Sequence, residues 1–206
     1  MKSWEDIVES MQIKLLEWLI KGANTEVDSS SPEYQKAKYI IAVAYDNISK
    51  FMVTGIIAAT LGIMKYFIFF TIIYGSIKCL AYGAHFESSL LCLITGFVIY
   101  FGSIYISLYI SDENININSI VFFSIYVLCY VVYALYAPAV SKAQFLKQSQ
   151  KDKLKKACLI YIPVLYVLQL FLPLPYRLLI VMAVIVEAVN TLPITFKILE
   201  RGGEIE

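Results

Sequence analysis

The run LLCLITGFVIYFGSIYISLYI, Leu90 to Ile110, has no charged side chain anywhere in it. At ~1.5 Å per residue, a helix of that length reaches about 30 Å, the thickness of a bilayer's hydrocarbon core. The run is therefore read as a membrane span, and its two flanks differ. Upstream lies KCLAYGAHFESS, Lys78 to Ser89, which contains the chain's single histidine, His85. Downstream, Ser111 to Ser119 holds Asp112, Glu113 and three asparagines, but no Lys or Arg.

Working outward, Tyr39 to Ile77 is almost wholly apolar, broken by Asp46, Asn47, Lys50 and Lys65. One helix of that length would reach ~58 Å, about twice the hydrocarbon core. A split at Lys65 predicts spans over about 42–63 and 66–82. Further spans are expected at about 120–137, ending at Ala137-Pro138, at 158–172, and at 178–196 with Glu187, Asn190 and Pro193 inside it. Trp4, Ile7, Val8, Met11, Leu15, Trp18 and Leu19 recur at helical spacing among charged residues. That pattern predicts an amphipathic helix over 4–20 lying in the membrane interface. Residues 22–33 read as a linker, with Ser31 a candidate N-cap before Pro32.

The chain is 59% hydrophobic and 16% charged, against about 45–50% and 25% for soluble domains. The fold class expected is an all-α polytopic membrane protein: about six transmembrane helices plus the N-terminal interfacial helix. It forms one domain over 1–206, with helix and linker over 1–38, bundle over 39–196 and tail over 197–206. The first twenty residues contain Glu5, Asp6, Glu9 and Glu17 and lack an uninterrupted apolar core, so no removable signal peptide is expected. Cys79, Cys92, Cys129 and Cys158 show no C-x-x-C spacing and are read as reduced thiols.

The net charge is only +1, but the charges are sorted. Six lysines and one aspartate fall within residues 141–156, read as a lysine-rich loop. The positive-inside rule makes that loop cytoplasmic. The Asp112–Asn118 loop is then outside, and the Lys78–Ser89 stretch and both termini are inside. A lone lysine, Lys65, runs against this orientation.

His85 and Cys92 are the chemically pointed pair. A thiol becomes a good nucleophile near neutral pH when a base stands beside it, and imidazole is the usual one. In one continuous helix the two would share a face but lie ~10 Å apart along the axis. Proton transfer needs about 3–3.5 Å, so the helix must break. Gly83 and Ser88-Ser89 are the places for that break. Ser88 or Ser89 could then cap the next span, with Cys92 in its first turn. Free N–H groups there lower a thiol's pKa and can hold an oxyanion. The plainer alternatives are a cysteine that packs and a histidine that is simply solvated. Cys79, His85 and Cys92 are too few for a metal site, and none is expected. Asp46, Lys50 and Glu187 need partners within the bilayer region. They form either an ion pair between helices or a third group orienting His85.

The residues resemble the accessory gene regulator B (AgrB) family, membrane cysteine endopeptidases of quorum-sensing peptide maturation. The resemblance rests on Gly83-Ala84-His85 with Ser88-Ser89 and Cys92, on Tyr136-Ala137-Pro138-Ala139 before the lysines, and on Glu187-Ala188 with Leu192-Pro193. It implies Cys92 as nucleophile, His85 as base and Ser89 as a supporting residue. Where the family commonly has arginine, this chain has Lys78, which keeps the charge but loses the bidentate fork. The implied reaction removes the C-terminal tail of an AgrD-type precursor peptide through a Cys92 thioester. A side chain of the retained peptide then closes a thiolactone or lactone. Lys151, Lys153, Lys155 and Lys156 are candidate contacts for an acidic precursor tail. The partners expected are the precursor, the bilayer and a second copy of the chain in a homodimer, without cofactor or nucleic acid. A membrane transporter and a non-enzymatic membrane scaffold are the rival readings.

Overall fold

The structure is a computed structural model that describes residues 10–11, 13–14, 32–83, 89–113, 115, 117–140 and 147–199. For some of these, among them Asp46, Ser89 and Leu90, the backbone alone is described. Seven helices are formed among the described residues: α1 Pro32–Thr60, α2 Met64–Ala81, α3 Ser89–Asp112, α4 Ser119–Tyr136, α5 Gln148–Gln169, α6 Leu174–Asn190 and α7 Pro193–Leu199. Three of them, α2, α3 and α4, are long and apolar enough to cross a membrane. The chain forms two compact units, Met1–Ile57 and Ala58–Glu206.

In the first unit, α1 begins at Pro32, where a missing N–H costs nothing because no intrahelical acceptor awaits it. Of the amphipathic 4–20 segment, Ser10, Met11, Ile13 and Lys14 are helical. Its other residues and most of the linker lie outside the described residues.

The second unit is built around α6, which packs against α2, α3 and α4. Leu178, Leu179, Ile180, Val181, Ala183, Val184 and Ala188 are all buried, so α6 is apolar nearly all round, as a central helix must be. From α2, Phe67, Phe70, Ile73, Tyr74 and Ile77 fill the facing layer. The Tyr100 ring of α3 closes that layer, with centroids 5.4 Å from Phe67, 5.3 Å from Phe70 and 5.9 Å from Tyr74. Polar groups link the helices: Tyr133 Oη donates to the Val184 carbonyl at 2.9 Å, and Ser76 and Tyr161 share a 2.7 Å hydrogen bond.

Several expected boundaries are corrected. The long apolar run breaks at Leu61–Ile63 rather than at Lys65, because Gly62 takes φ +70°, which a side-chain-bearing residue resists. Lys65 lies in the first turn of α2. The lysine-rich stretch is not all loop: from Gln148 it is the opening of α5, which runs far longer than the expected 158–172. Lys, Gln and Leu are good helix formers, and nothing between Gln148 and Cys158 interrupts them. The last span ends at Asn190 instead of 196, and Pro193 opens α7 because proline cannot donate back into a preceding turn. All four thiols are free, as expected, but Cys79 is exposed and does not pack; Cys129 and Cys158 are buried.

The packing predicts a contrast on truncation. Phe70 is fully buried, and Phe70→Ala is expected to cost about 3–5 kcal/mol in reversible unfolding from micelles. Leu128 is 68% exposed, and Leu128→Ala should change stability by no more than about 0.5 kcal/mol.

Candidate active site

Three segments that are distant in sequence meet where α2 ends. Helix α2 stops at Ala81, and Tyr82 turns out of it at φ 65°, its N–H still donating to the Lys78 carbonyl at 2.9 Å. The chain then runs beside the segment that follows α4. Ala139 N–H donates to the Ala81 carbonyl at 2.9 Å, and Gly83 N–H donates to the Ala139 carbonyl at 3.1 Å. These two bonds form a short parallel bridge between Tyr82 and Ala139. The Ala137–Pro138 peptide is cis.

The third segment is the end of α6. Glu187 is fully buried, and its Oε1 lies 2.7 Å from the position a Cβ on Gly83 would occupy. The Asn190 Cβ lies 3.2 Å from that same position. Gly83 also has φ +85°. Both the close approach and the left-handed backbone require glycine here.

Asn190 follows Glu187 by three residues, so the two share a face of α6. The Asn190 amide donates to Glu187 Oε2 at 3.2 Å and to Tyr74 Oη at 3.1 Å. Glu187 Oε1 has no hydrogen-bond partner among the described residues. Lys78, in the last turn of α2, sits with its ammonium 5.6 Å from the Tyr74 ring centroid and within electrostatic reach of Glu187. Cys92 is half-buried, three residues into α3, and Tyr74 lies within its electrostatic reach. Cys92 thus occupies the first helical turn, where backbone N–H groups have no partner inside the helix.

Of the residues singled out from sequence, Gly83, Lys78, Glu187 and Cys92 are brought to one end of the second unit. Ser89 opens α3. His85 and Ser88 lie outside the described residues. Lys151, Lys153, Lys155 and Lys156 fall on the opening turns of α5, with Lys153 and Lys156 exposed and Lys151 and Lys155 half-buried. Asp46 and Lys50 belong to α1 in the first unit, whereas Glu187 belongs to the second. Tyr74 and Asn190 were not singled out from sequence as site residues. Their signal was available: Asn190 is polar at i+3 from Glu187 in an apolar helix, and Tyr74 lies one turn before Lys78.

Gly83→Ala should therefore be poorly tolerated. A Cβ there meets the Glu187 carboxyl and forces a left-handed alanine, at about 1–2 kcal/mol for the backbone alone. The expected result is a lower thermal midpoint, partly recovered in Gly83→Ala/Glu187→Ala, where the closest of the contacts is removed. Thermal unfolding of the single and double variants in micelles checks this. Full stability of the single variant would contradict the described approach.

The accessory gene regulator B family matches residues 13–191. The chain is 26% identical over 164 residues to accessory gene regulator protein B of Staphylococcus haemolyticus, covering 80% of this chain and 85% of that one. It is 30% identical over 165 residues to the protein of the same name from Staphylococcus lugdunensis, again covering 80% and 85%. A putative AgrB-like protein of Clostridium acetobutylicum is 24% identical over 194 residues, covering 93% and 90%. No solved structure matches. With the family match spanning Gly83, Ala139 and Glu187, where three segments meet at the end of α2, and Cys92 as well, the chain belongs to the accessory gene regulator B family.

Proposed function

We propose that this protein is a membrane cysteine endopeptidase that matures a quorum-sensing peptide. The observation that supports this best is the position of Cys92. It is a half-buried thiol in the first turn of α3, with Tyr74 of the buried Tyr74–Asn190–Glu187 cluster within its electrostatic reach. The other thiols are either exposed at the end of α2 or buried inside the bundle.

In this reading His85 takes the proton from Cys92, and the thiolate attacks the carbonyl carbon at the boundary of the C-terminal tail of an AgrD-type precursor. The first-turn N–H groups of α3 donate hydrogen bonds to the developing oxyanion. The carbon–nitrogen bond breaks, the departing amine takes the proton held by His85, and the retained peptide is left as a thioester on Cys92. A thiol or hydroxyl of that peptide then gives its proton to His85 and attacks the thioester. Cys92 leaves as thiolate, and the ring closes as a thiolactone or lactone. Exchange of one thioester for another is nearly isoenergetic, so water must be kept from the intermediate, and an apolar bundle around the site suits that.

The positive-inside rule supports a multi-pass arrangement with both termini and Cys92 on the cytoplasmic side. The spans beyond α2, α3 and α4 would be α1, α5 and α6. At 17 residues α6 reaches ~25 Å, which spans a locally thinned core. The lysines of α5 would face an acidic precursor tail from the same side, and the active form would be a homodimer.

Two outcomes are expected with the precursor and full-length protein in proteoliposomes, followed by mass spectrometry. Cys92→Ala abolishes tail release, while Cys79→Ala, Cys129→Ala and Cys158→Ala keep most of it. A transporter or scaffold would keep its own activity without Cys92. Cleavage that survives Cys92→Ala would overturn the proposal.

Changing Lys151, Lys153, Lys155 and Lys156 to Gln raises KM for the precursor severalfold more than it lowers kcat. Salt should weaken the wild type more than this variant, since screening shortens to about 8 Å at physiological ionic strength. Equal KM values at low salt would remove the lysines from recognition.

A further inference from the structure

A second polar cluster lies at the other end of α3 from Cys92, where α4 and α6 begin and α5 ends. Among the described residues, four buried atoms there have no hydrogen-bond partner: the Tyr126 hydroxyl, both amide atoms of Gln169, and Arg177 Nε. Gln169 is fully buried and Tyr126 is 4% exposed.

Ring contacts and helical spacing tie these groups together. The Arg177 guanidinium lies over the Phe122 ring at 5.1 Å. Tyr126 follows Phe122 by one turn on the same face of α4. The Tyr166 ring of α5 packs against Tyr126 at 5.1 Å, and Gln169 follows Tyr166 by three residues on the same face of α5.

A buried amide with neither atom bonded is costly, and natural proteins almost always satisfy it with protein, water or ligand. Four such atoms in one place describe a polar site rather than a lone packing defect. The charge and dipoles around it favour an anion. Arg177 is a permanent cation. It stands in the opening turn of α6, and Phe122 stands in the opening turn of α4, so the positive ends of two helix dipoles point to the same region. The acids at this end, Asp112 and Glu113, are exposed, and neither pairs with Arg177 among the described residues. The guanidinium, the Gln169 amide N–H groups and the Tyr126 hydroxyl are all donors. The Gln169 carbonyl oxygen is left to accept from a protonated phosphate or from water.

We propose that Arg177, Gln169 and Tyr126 form a binding site for an oxyanion, namely a phosphate group, either on a lipid headgroup or free in solution. The site is separate from Cys92 and does not depend on the peptidase reading.

The test is thermal unfolding of the full chain purified in maltoside micelles. In one arm sodium phosphate is compared with sodium chloride at equal ionic strength. In the other, phosphatidylglycerol is compared with diacylglycerol, which lacks phosphate, at equal mole fraction. The wild-type midpoint should rise by at least about 2–4 °C in one arm. A rise with inorganic phosphate identifies a soluble ligand, and a rise with phosphatidylglycerol alone identifies the lipid. Arg177→Gln and Tyr126→Phe should lose most of the rise. Gln169→Leu should also lose it, and should melt higher than the wild type without ligand, because the orphaned amide is gone. No rise in either arm, which would leave water as the occupant, overturns the proposal. So does a full rise in Gln169→Leu or Arg177→Gln.

Discussion

The contact between the Gly83 backbone and the Glu187 carboxyl is the constraint on which the candidate site depends. A fully buried carboxyl group is costly unless polar groups surround it. Asn190 and Tyr74 supply part of that surrounding, and Gly83 lets the other oxygen come close by having no side chain. The approach requires α2 to end at Ala81 and the backbone to turn left-handed at Tyr82 and Gly83. It also requires the segment after α4 to lie alongside, which the two hydrogen bonds with Ala139 secure. One close approach thereby fixes the relative positions of three helix ends. It also sets the point from which the chain leaves toward α3 and Cys92.

The packing below that point holds it still. Helix α6 is buried along most of its length, so Glu187 cannot move without disturbing the layer that Phe67, Phe70, Ile77 and Leu179 fill. Tyr74 belongs to both systems. Its ring stacks on Phe70 at 5.6 Å, while its hydroxyl accepts from Asn190. The aromatic core and the polar cluster are in this sense continuous, and the cluster's geometry inherits the stiffness of the core. Among the described residues, Glu187 Oε1 is the atom of the cluster left without a partner.

Much of this was legible in the sequence, for identifiable reasons. The uncharged run from Leu90 to Ile110 appears as α3 within two residues at either end, because an apolar segment bounded by polar residues has one economical conformation in lipid. The third and fourth expected spans held for that reason. Boundaries failed where the deciding signal was backbone geometry. Gly62 ends α1 by its positive φ, whereas Lys65 only seemed the natural break because it is charged. The lysines after Gln148 read as a loop by charge but fold by helix propensity. The convergence of Gly83, Ala139 and Glu187 could be read only as three separate motifs. Nothing in their sequence separation says that they touch. The Arg177–Gln169–Tyr126 cluster left no sequence signal, since each is an ordinary polar residue until packing buries it.

In the proposed reaction Cys92 carries the peptide as a thioester between cleavage and ring closure. The most direct measurement is intact-protein mass spectrometry of the full chain quenched in acid during turnover. It would use a precursor whose ring-closing nucleophile is replaced by alanine, so that the second step cannot drain the intermediate. The account predicts an adduct equal in mass to the precursor without its tail, mapped to Cys92 and discharged by hydroxylamine. Tail release with no adduct on Cys92, or with the adduct on another residue, would contradict it.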